Sequence, residues 1–233
     1  MRKIEVCLSP ELIHQHELEG KIVVVVDIFR ATSCIVSGLA HGVAAIKPVA
    51  SVDETFELGN QGYLMAGERG GEKVEGFDIG NSPFEYMDDD LIGRKVAIST
   101  TNGTQAIAKS MEADQILVGA FLNLSATADF LTNQDKDVVI HCAGWKGTVN
   151  IEDSLYAGAL VQKLDAHTTA NDSALVASEL YRANQNDLYA AGKRSGHAHR
   201  LAGFGVTKDI EFCMKVDEMQ VVVGLEGEHL VRI

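Results

Sequence analysis

Basic residues are scarce in this chain: 233 residues hold 20 Lys and Arg against 33 Asp and Glu, a formal net charge of −13. A surface so acidic repels the nucleic-acid backbone and anionic membrane, which discounts both as partners. It also repels small anions, so an anionic ligand needs a local cluster of Arg, Lys, backbone N–H or metal to hold it. Cysteine is sparse and scattered. Cys7, Cys34, Cys142 and Cys213 include no CxxC pair, which argues against structural zinc. Buried free thiols in a reducing cytoplasm are the expectation, with Cys142, beside a Gly-rich loop, as a candidate reactive thiol. No apolar run approaches membrane-spanning length, and the opening MRKIEVCLSP lacks the apolar stretch of a signal peptide. A cytoplasmic location is therefore expected. No internal repeat, linker or low-complexity segment divides the chain.

What is present centres on residues 21–42, KIVVVVDIFRATSCIVSGLAHG. The unbroken valines Val23 to Val26 read as a strand covered on both faces, the kind found in the middle of a mostly parallel sheet. Asp27 ends the run, Arg30 follows, and Ala31-Thr32-Ser33 opens a small-residue segment with helical spacing. Strand and helix thus deliver a carboxylate and a guanidinium to a strand's carboxyl end, where open α/β sheets bind ligands. Asp27 as a plain helix cap is the alternative.

The remaining elements alternate. Strands are expected at 2–8, 44–49, 63–66, 94–99, 115–118 and 137–141. Helices are expected at 31–41, stopped by Gly42, and at 52–60, 105–111, 123–131 and 151–164. Ser51 with Glu54 three residues on forms a capping-box pattern at the second helix. Residues 11–19 read as a polar connector. Residues 172–215 read as short helices, and 220–223 with 229–233 as a closing hairpin. This order implies a layered α/β/α fold with a mostly parallel or mixed central sheet and a more helical C-terminal half. The whole of 1–233 is taken as one domain, with a helical sub-lobe around 172–215.

Three polar loops follow expected strands, and the fold is expected to bring them to one edge. The first is Asp27 to Thr32. The second is Ser99-Thr100-Thr101-Asn102-Gly103-Thr104, whose amides and hydroxyls at a helix start suit an oxyanion, although ordinary capping produces the same pattern and no Walker A sequence is present. The third is Gly67 to Pro83, GERGGEKVEGFDIGNSP, with five glycines and no helical or strand period. A long Gly-rich loop inside a compact domain is uncommon unless functional or disordered, and Phe77 and Ile79 argue for packing. Glu68 there suits a hard cation such as Mg2+, and Arg69 suits an oxyanion; both also read as surface charges. A fourth stretch, Cys142 to Asp153, holds the single tryptophan, Trp145, beside Lys146, with Glu152 and Asp153 opening a helix. The later cluster Lys193, Arg194, His197, His199 and Arg200 reads equally as a cover over an anion or as a solvated helix face. Together these features suggest a phosphate ester bound by amides and arginines with a carboxylate-held cation. Phosphoryl transfer needs charge neutralised and an attacking oxygen in line more than it needs covalent chemistry.

Read together, these loops resemble the 2-phosphosulfolactate phosphatase (ComB) family. The likeness is carried by VVVVDIFRATSCIVSGLAHG, AGERGGEKVEGFDIGNSP, STTNGTQAI, CAGWKGTVNIEDSLYAGAL and GVTKDIEFCMKVD, which together span most of the chain. The resemblance implies an Mg2+-dependent hydrolase that converts the small anionic ester 2-phospho-3-sulfolactate to 3-sulfolactate and phosphate, a step toward coenzyme M. It carries over Asp27, Arg30, Thr32, Glu68, Arg69, Asp78, Gly80, Asn81, Ser82, Pro83, Thr100 to Thr104, Glu152 and Asp153 by position. On these, Asp27, Arg30, Glu68 and Asp153 are the expected catalytic residues, and Asp27, Glu68, Glu152 and Asp153 the expected metal ligands. Arg30, Thr32, Asn81, Ser82, Thr100, Thr101, Asn102, Gly103 and Thr104 are expected around the substrate, with Arg69 and Lys146 on its sulfonate or carboxylate. A homo-oligomer, a dimer in the simplest case, is also expected. The alternatives are a phosphatase for another phosphorylated hydroxy acid, and a non-catalytic module that binds a phosphorylated metabolite.

Overall fold

Eleven strands lie among residues 2–233, which this computed structural model describes. They are β1 (Lys3–Cys7), β2 (Ile22–Val26), β3 (Ala45–Pro48), β4 (Leu64–Arg69), β5 (Glu72–Lys73), β6 (Lys95–Ser99), β7 (Gln115–Gly119), β8 (Val138–Cys142), β9 (Thr168–Thr169), β10 (Val223–Glu226) and β11 (His229–Arg232). They form one mixed sheet in the order β5-β4-β6-β3-β11-β10-β7-β2-β8-β1-β9. The valine run is β2, buried at every residue between the parallel neighbours β7 and β8. A strand with no solvated face has no polar alternation to show, which is why the run reads as continuous valine.

The sheet has two parallel groups. One is β4-β6-β3 and the other β7-β2-β8-β1-β9; the antiparallel hairpin β10–β11 is spliced between them. β7 against β10, β10 against β11 and β11 against β3 are three successive antiparallel pairings. The two groups therefore run in opposite senses along the sheet. Their carboxyl ends would face opposite edges if the sheet were flat. Strand twist of about 20–25° per step, over the five steps from β2 to β6, amounts to roughly 100–125° and removes most of that opposition.

Among the described residues the α-helices are α1 (Ala31–His41), α2 (Val52–Gly59), α3 (Gly103–Ala108), α4 (Leu124–Thr132), α5 (Ile151–Lys163), α6 (Asp172–Asn184), α7 (Leu188–Lys193), α8 (Gly196–Ala202) and α9 (Thr207–Cys213). They cover the sheet in an α/β/α layering. α1 packs against β3, β7 and β11, astride the join between the groups, and every residue from Ala31 to Leu39 is buried. That position explains a sequence of small and apolar residues with no polar stripe. Its hydroxyls are absorbed by backbone: Ser33 Oγ donates to Ile28 O and Ser37 Oγ to Ser33 O. Gly42 closes it at φ 112°, donating its N–H to Gly38 O. α5 lies against β2 and β8 and packs on α6. Residues of α6 to α9, including Ala177, Leu188, Leu201 and Ile210, belong to the same apolar cluster as β2.

Several local readings shift. The connector 11–19 contains a 3-10 helix, Pro10–Gln15. β4 continues to Arg69 and turns back as β5, so the stretch from Gly67 begins as a hairpin and not as loop. α3 starts at Gly103 and stops at Ala108, and β10 starts only at Val223. Ser51 caps α2 by accepting from Glu54 N–H at 3.1 Å, while Glu54 Oε2 accepts from Ala50 N–H at 3.3 Å. Cys142 is not a reactive thiol. It is fully buried, and burial with Asp153 nearby pushes its pKa well above the ordinary thiol value, against nucleophilic use.

Candidate active site

Four strand ends meet around one cavity of about 490 Å3. β2 supplies Asp27, Phe29 and Arg30; β4 leads into Glu68, Arg69, Gly70 and Gly71; β6 leads into Thr101 and Asn102; β8 leads into Trp145 and Lys146. Asn81 and, from α8, His197, Arg200 and Leu201 complete the lining. Eight residues singled out in the sequence for chemistry thus share one wall: Asp27, Arg30, Glu68, Arg69, Asn81, Thr101, Asn102 and Lys146. Gly103 lies beneath them. A Cβ there would stand 2.7 Å from Ala31 Cβ and 2.9 Å from Asp27 Oδ2, so only glycine lets the β6 loop approach the β2 end this closely.

The carboxylates differ in what they already hold. Glu68 is buried, and both its oxygens accept backbone N–H groups, Oε2 from Gly71 at 2.7 Å and Oε1 from Thr101 at 2.8 Å. Asp153 is likewise committed, Oδ1 accepting from Ile28 N–H at 2.9 Å and Oδ2 from Gly144 N–H at 3.0 Å. It ties the β2 end to the β8 end. Burial, with Glu152 and Asp27 close by, still raises its pKa well above the carboxylate range. Glu152 Oε1 lies 2.9 Å from His197 Nδ1, while Oε2 is buried with no partner. Asp27 is 5% exposed and its pKa is raised to about 7. Burial is the main cause; His197 and the Ala31 N–H pull it down, while Glu68 and Glu152 push it up.

Of the four carboxylates expected to share a cation, then, Glu68 and Asp153 have both oxygens on backbone amides. No group of three or more His, Cys, Asp or Glu side chains among the described residues is arranged to hold a metal. The less fully bonded oxygens belong to Asp27, whose carboxylate has the Ala31 N–H alone, and to Glu152, whose Oε2 has no partner. That set fits Mg2+, which binds through one or two carboxylates and takes its other oxygens from water and substrate phosphate.

The cations divide in the same way. Arg30 is 4% exposed, with Nη1 paired to Asp209 Oδ2, Nη2 donating to Gly71 O at 3.3 Å and Nε buried without a partner. Arg69 has turned its fork into the scaffold, Nη1 to Glu68 O at 2.7 Å and Ser99 O at 3.0 Å, Nη2 to Ser99 Oγ at 2.8 Å. Lys146 Nζ lies 4.9 Å from the centre of the Trp145 ring, and its N–H donates to Asn102 Oδ1. Arg200 stacks on the same ring, 5.0 Å from its centre, and donates from Nη1 to Gly70 O at 2.7 Å. The His197 ring stacks against Trp145 and meets Phe29 edge-on.

The other expected binding residues lie outside the lining. Thr32 Oγ1 accepts from Asp27 N–H and donates to Asp27 O, closing the turn. Thr100 and Thr104 are bonded to each other through backbone N–H and hydroxyl. Ser82 lines an adjoining cavity of about 680 Å3 that shares Arg30, Gly71 and Asn81 with the first. Asp78 accepts from Met65 N–H at 2.7 Å, fixing the strap from Glu75 to Gly80 on β4. His197, Arg200 and Asp209 carry more of the site than their sequence suggested. The buried residues His197, Ala198 and Leu201 with half-buried Arg200 form an inward face at helical spacing, while Lys193, Arg194 and His199 are exposed. That spacing was the available signal. The Arg30–Asp209 pair spans 179 positions and left none.

Comparison with known proteins agrees along nearly the whole chain. A family model described as 2-phosphosulpholactate phosphatase matches residues 7–228. A probable 2-phosphosulfolactate phosphatase of Caldanaerobacter subterraneus subsp. tengcongensis is 39% identical over 221 residues, 92% of each chain. One of Thermotoga maritima is 38% identical over 208 residues, 89% of this chain and 90% of its own. One of Clostridium acetobutylicum is 36% identical over 231 residues, 94% of this chain and 96% of its own.

Proposed function

Since the chain belongs to the 2-phosphosulpholactate phosphatase family and is thereby a phosphoric monoester hydrolase, we propose that its substrate is 2-phospho-3-sulfolactate, released as 3-sulfolactate and phosphate. Coenzyme M formation is the process this step would serve. The observation that best supports the reading is Asp27, a buried carboxylate at a strand end whose pKa burial raises to about 7, in a cavity also lined by Arg30, Arg69, Lys146 and Arg200.

Arg30 and the N–H groups of Asn102 and Gly103 would hold the phosphoryl oxygens. The N–H groups of Thr100, Thr101 and Thr104 already have acceptors within the protein. Asp27 orients the attacking water opposite the leaving oxygen. His197, with Nδ1 held by Glu152 and its ring packed between Trp145 and Phe29, supplies the proton that the leaving alkoxide needs. Asp27 and Glu152 Oε2 would hold Mg2+, which when bound neutralises charge on the phosphoryl group. The cytoplasm is the proposed compartment; four buried free thiols support it.

The test is phosphate release from 2-phospho-3-sulfolactate with Mg2+ and after chelation. Release that drops on chelation is the expected result. Release only from a sulfonate-free hydroxy-acid phosphate would retain the reaction and discard the substrate. Tight binding with no release would make the protein a binding module.

A further inference from the structure

The four cationic side chains on the cavity wall are not equally available. Arg69 has its fork bonded to Ser99 and the Glu68 carbonyl. Arg30 is fixed by Asp209 and by Gly71 O, with only its buried Nε unpaired. Lys146 offers a point charge above the Trp145 ring. Arg200 is different. Its Nη1 is anchored on Gly70 O and its plane rests on the Trp145 face, but its Nε is buried without a partner and its Nη2 donates to nothing among the described residues. The Nε–Nη2 edge of a guanidinium is a two-donor fork that matches two oxygens of one oxyanion.

A guanidinium braced on two sides, with the donors of one edge unspent, is pre-organised for an acid group. The phosphoryl group already has Arg30 and the Asn102–Gly103 amides. Arg200 comes from a separate part of the chain, α8, and reaches the same cavity. A molecule held at both places needs two anionic groups. Resting on the phosphatase reading above, we infer that Arg200, supported by Trp145, is a specificity-determining residue that binds the second, non-reacting acid group of the substrate, a carboxylate or a sulfonate.

The experiment compares kcat/KM of the wild type, Arg200→Gln and Arg200→Lys, with Mg2+, on three esters. They are p-nitrophenyl phosphate, which has no second acid group, 2-phospholactate, which has a carboxylate, and 2-phospho-3-sulfolactate, which has both. Arg200→Gln should lose about 100-fold on at least one acid ester, mostly through KM, and no more than about threefold on p-nitrophenyl phosphate. Arg200→Lys should recover only part of the loss, because an ammonium lacks the fork. A large loss on 2-phospholactate assigns the carboxylate; a large loss confined to the sulfonated ester assigns the sulfonate. Equal losses on all three esters would mean that Arg200 serves the phosphoryl group or merely holds the Gly70 turn, and would overturn the inference, as would no loss on any. Arg200→Lys alone decides if Arg200→Gln does not fold. Should the wild type hydrolyse none of the three, the phosphatase reading fails, and the inference is judged by calorimetry with 3-sulfolactate. Binding by the wild type that weakens at least tenfold in the variant supports it; unchanged binding, or none by the wild type, sinks it.

Discussion

The two groups of strands that meet at the cavity treat their polar residues differently. At the ends of β4 and β6, Glu68, Arg69 and Thr101 are bonded to one another's backbones and to Ser99 and Gly71. At the ends of β2 and β8, Asp153 is fully bonded to backbone, but Asp27 is held by the Ala31 N–H alone, and Arg30 Nε and Glu152 Oε2 are buried without partners. Both groups place acidic and basic side chains on the same wall, so residue type does not separate scaffold from reactant. What separates the charged side chains is hydrogen-bonding capacity already spent, with Asp153 at the β8 end spent and, among the neutral groups, Thr101 Oγ1 at the β6 end buried without a partner. A satisfied buried carboxylate rigidifies its loop, whereas an unsatisfied one destabilises the empty protein and is available to a ligand.

The sharpest break of that contrast is Asp27→Asn. Turnover should fall by about a thousandfold, since the variant cannot carry the charge the site uses. Stability should move the other way. Asp27 ionises at about 7 in the fold against 3.8 ordinarily, so the folded state binds more protons than the unfolded state between those values. The stability this proton confers is fully present below pH 4 and is lost as pH rises through 7. In metal-free buffer at pH 8, Asp27→Asn should melt above the wild type, by up to about 4 kcal/mol at 1.36 kcal/mol per pKa unit and less after local relaxation. The difference should vanish near pH 4. Melts at pH 4 and pH 8 read it directly. A variant that melts below the wild type at pH 8 would show that Asp27 is structural.

Glu68→Gln attacks the other group. Gln retains one acceptor oxygen and leaves either the Gly71 or the Thr101 N–H facing an amide, at about 1–3 kcal/mol. A lower melting temperature at every pH from 5 to 8 is expected, with a loss of activity that follows the loosened Gly70–Gly71 turn. If the melt is unchanged while turnover falls as far as in Asp27→Asn, then Glu68 belongs with the reactants.

Much of this contrast is visible in the sequence only as a set of candidates. β2 and α1 were legible because the signal is local: four valines, then small residues, then Gly42. The three polar stretches after strands were legible as such, although the one from Gly67 opens as a hairpin, and residues of all three line one cavity. Their division into spent and unspent groups was not, because it depends on bonds such as Glu68 to Thr101, 33 positions apart, and Ile28 to Asp153, 125 apart. The opposed senses of the two strand groups were also hidden. They follow from where the β10–β11 hairpin is spliced into the sheet, and no residue in the hairpin announces its neighbours. β9 is two residues long and carries no period to read.

Thr32 tests whether spent capacity or position decides. It stands on the side of the unspent groups, yet its hydroxyl accepts from Asp27 N–H at 3.1 Å and donates to Asp27 O at 2.9 Å. Thr32→Val preserves the shape and removes both bonds, leaving the Asp27 N–H buried and unpaired. If the hydroxyl serves only the turn, the variant loses about 1 kcal/mol of stability, with KM unchanged and a small drop in kcat as the Asp27 backbone shifts. If the hydroxyl also reaches the substrate, KM rises severalfold at unchanged melting temperature. The first outcome would mean that the Asp27 carboxylate is free to react because its backbone is not, and that a residue's place at a strand end matters less than what its polar atoms already hold.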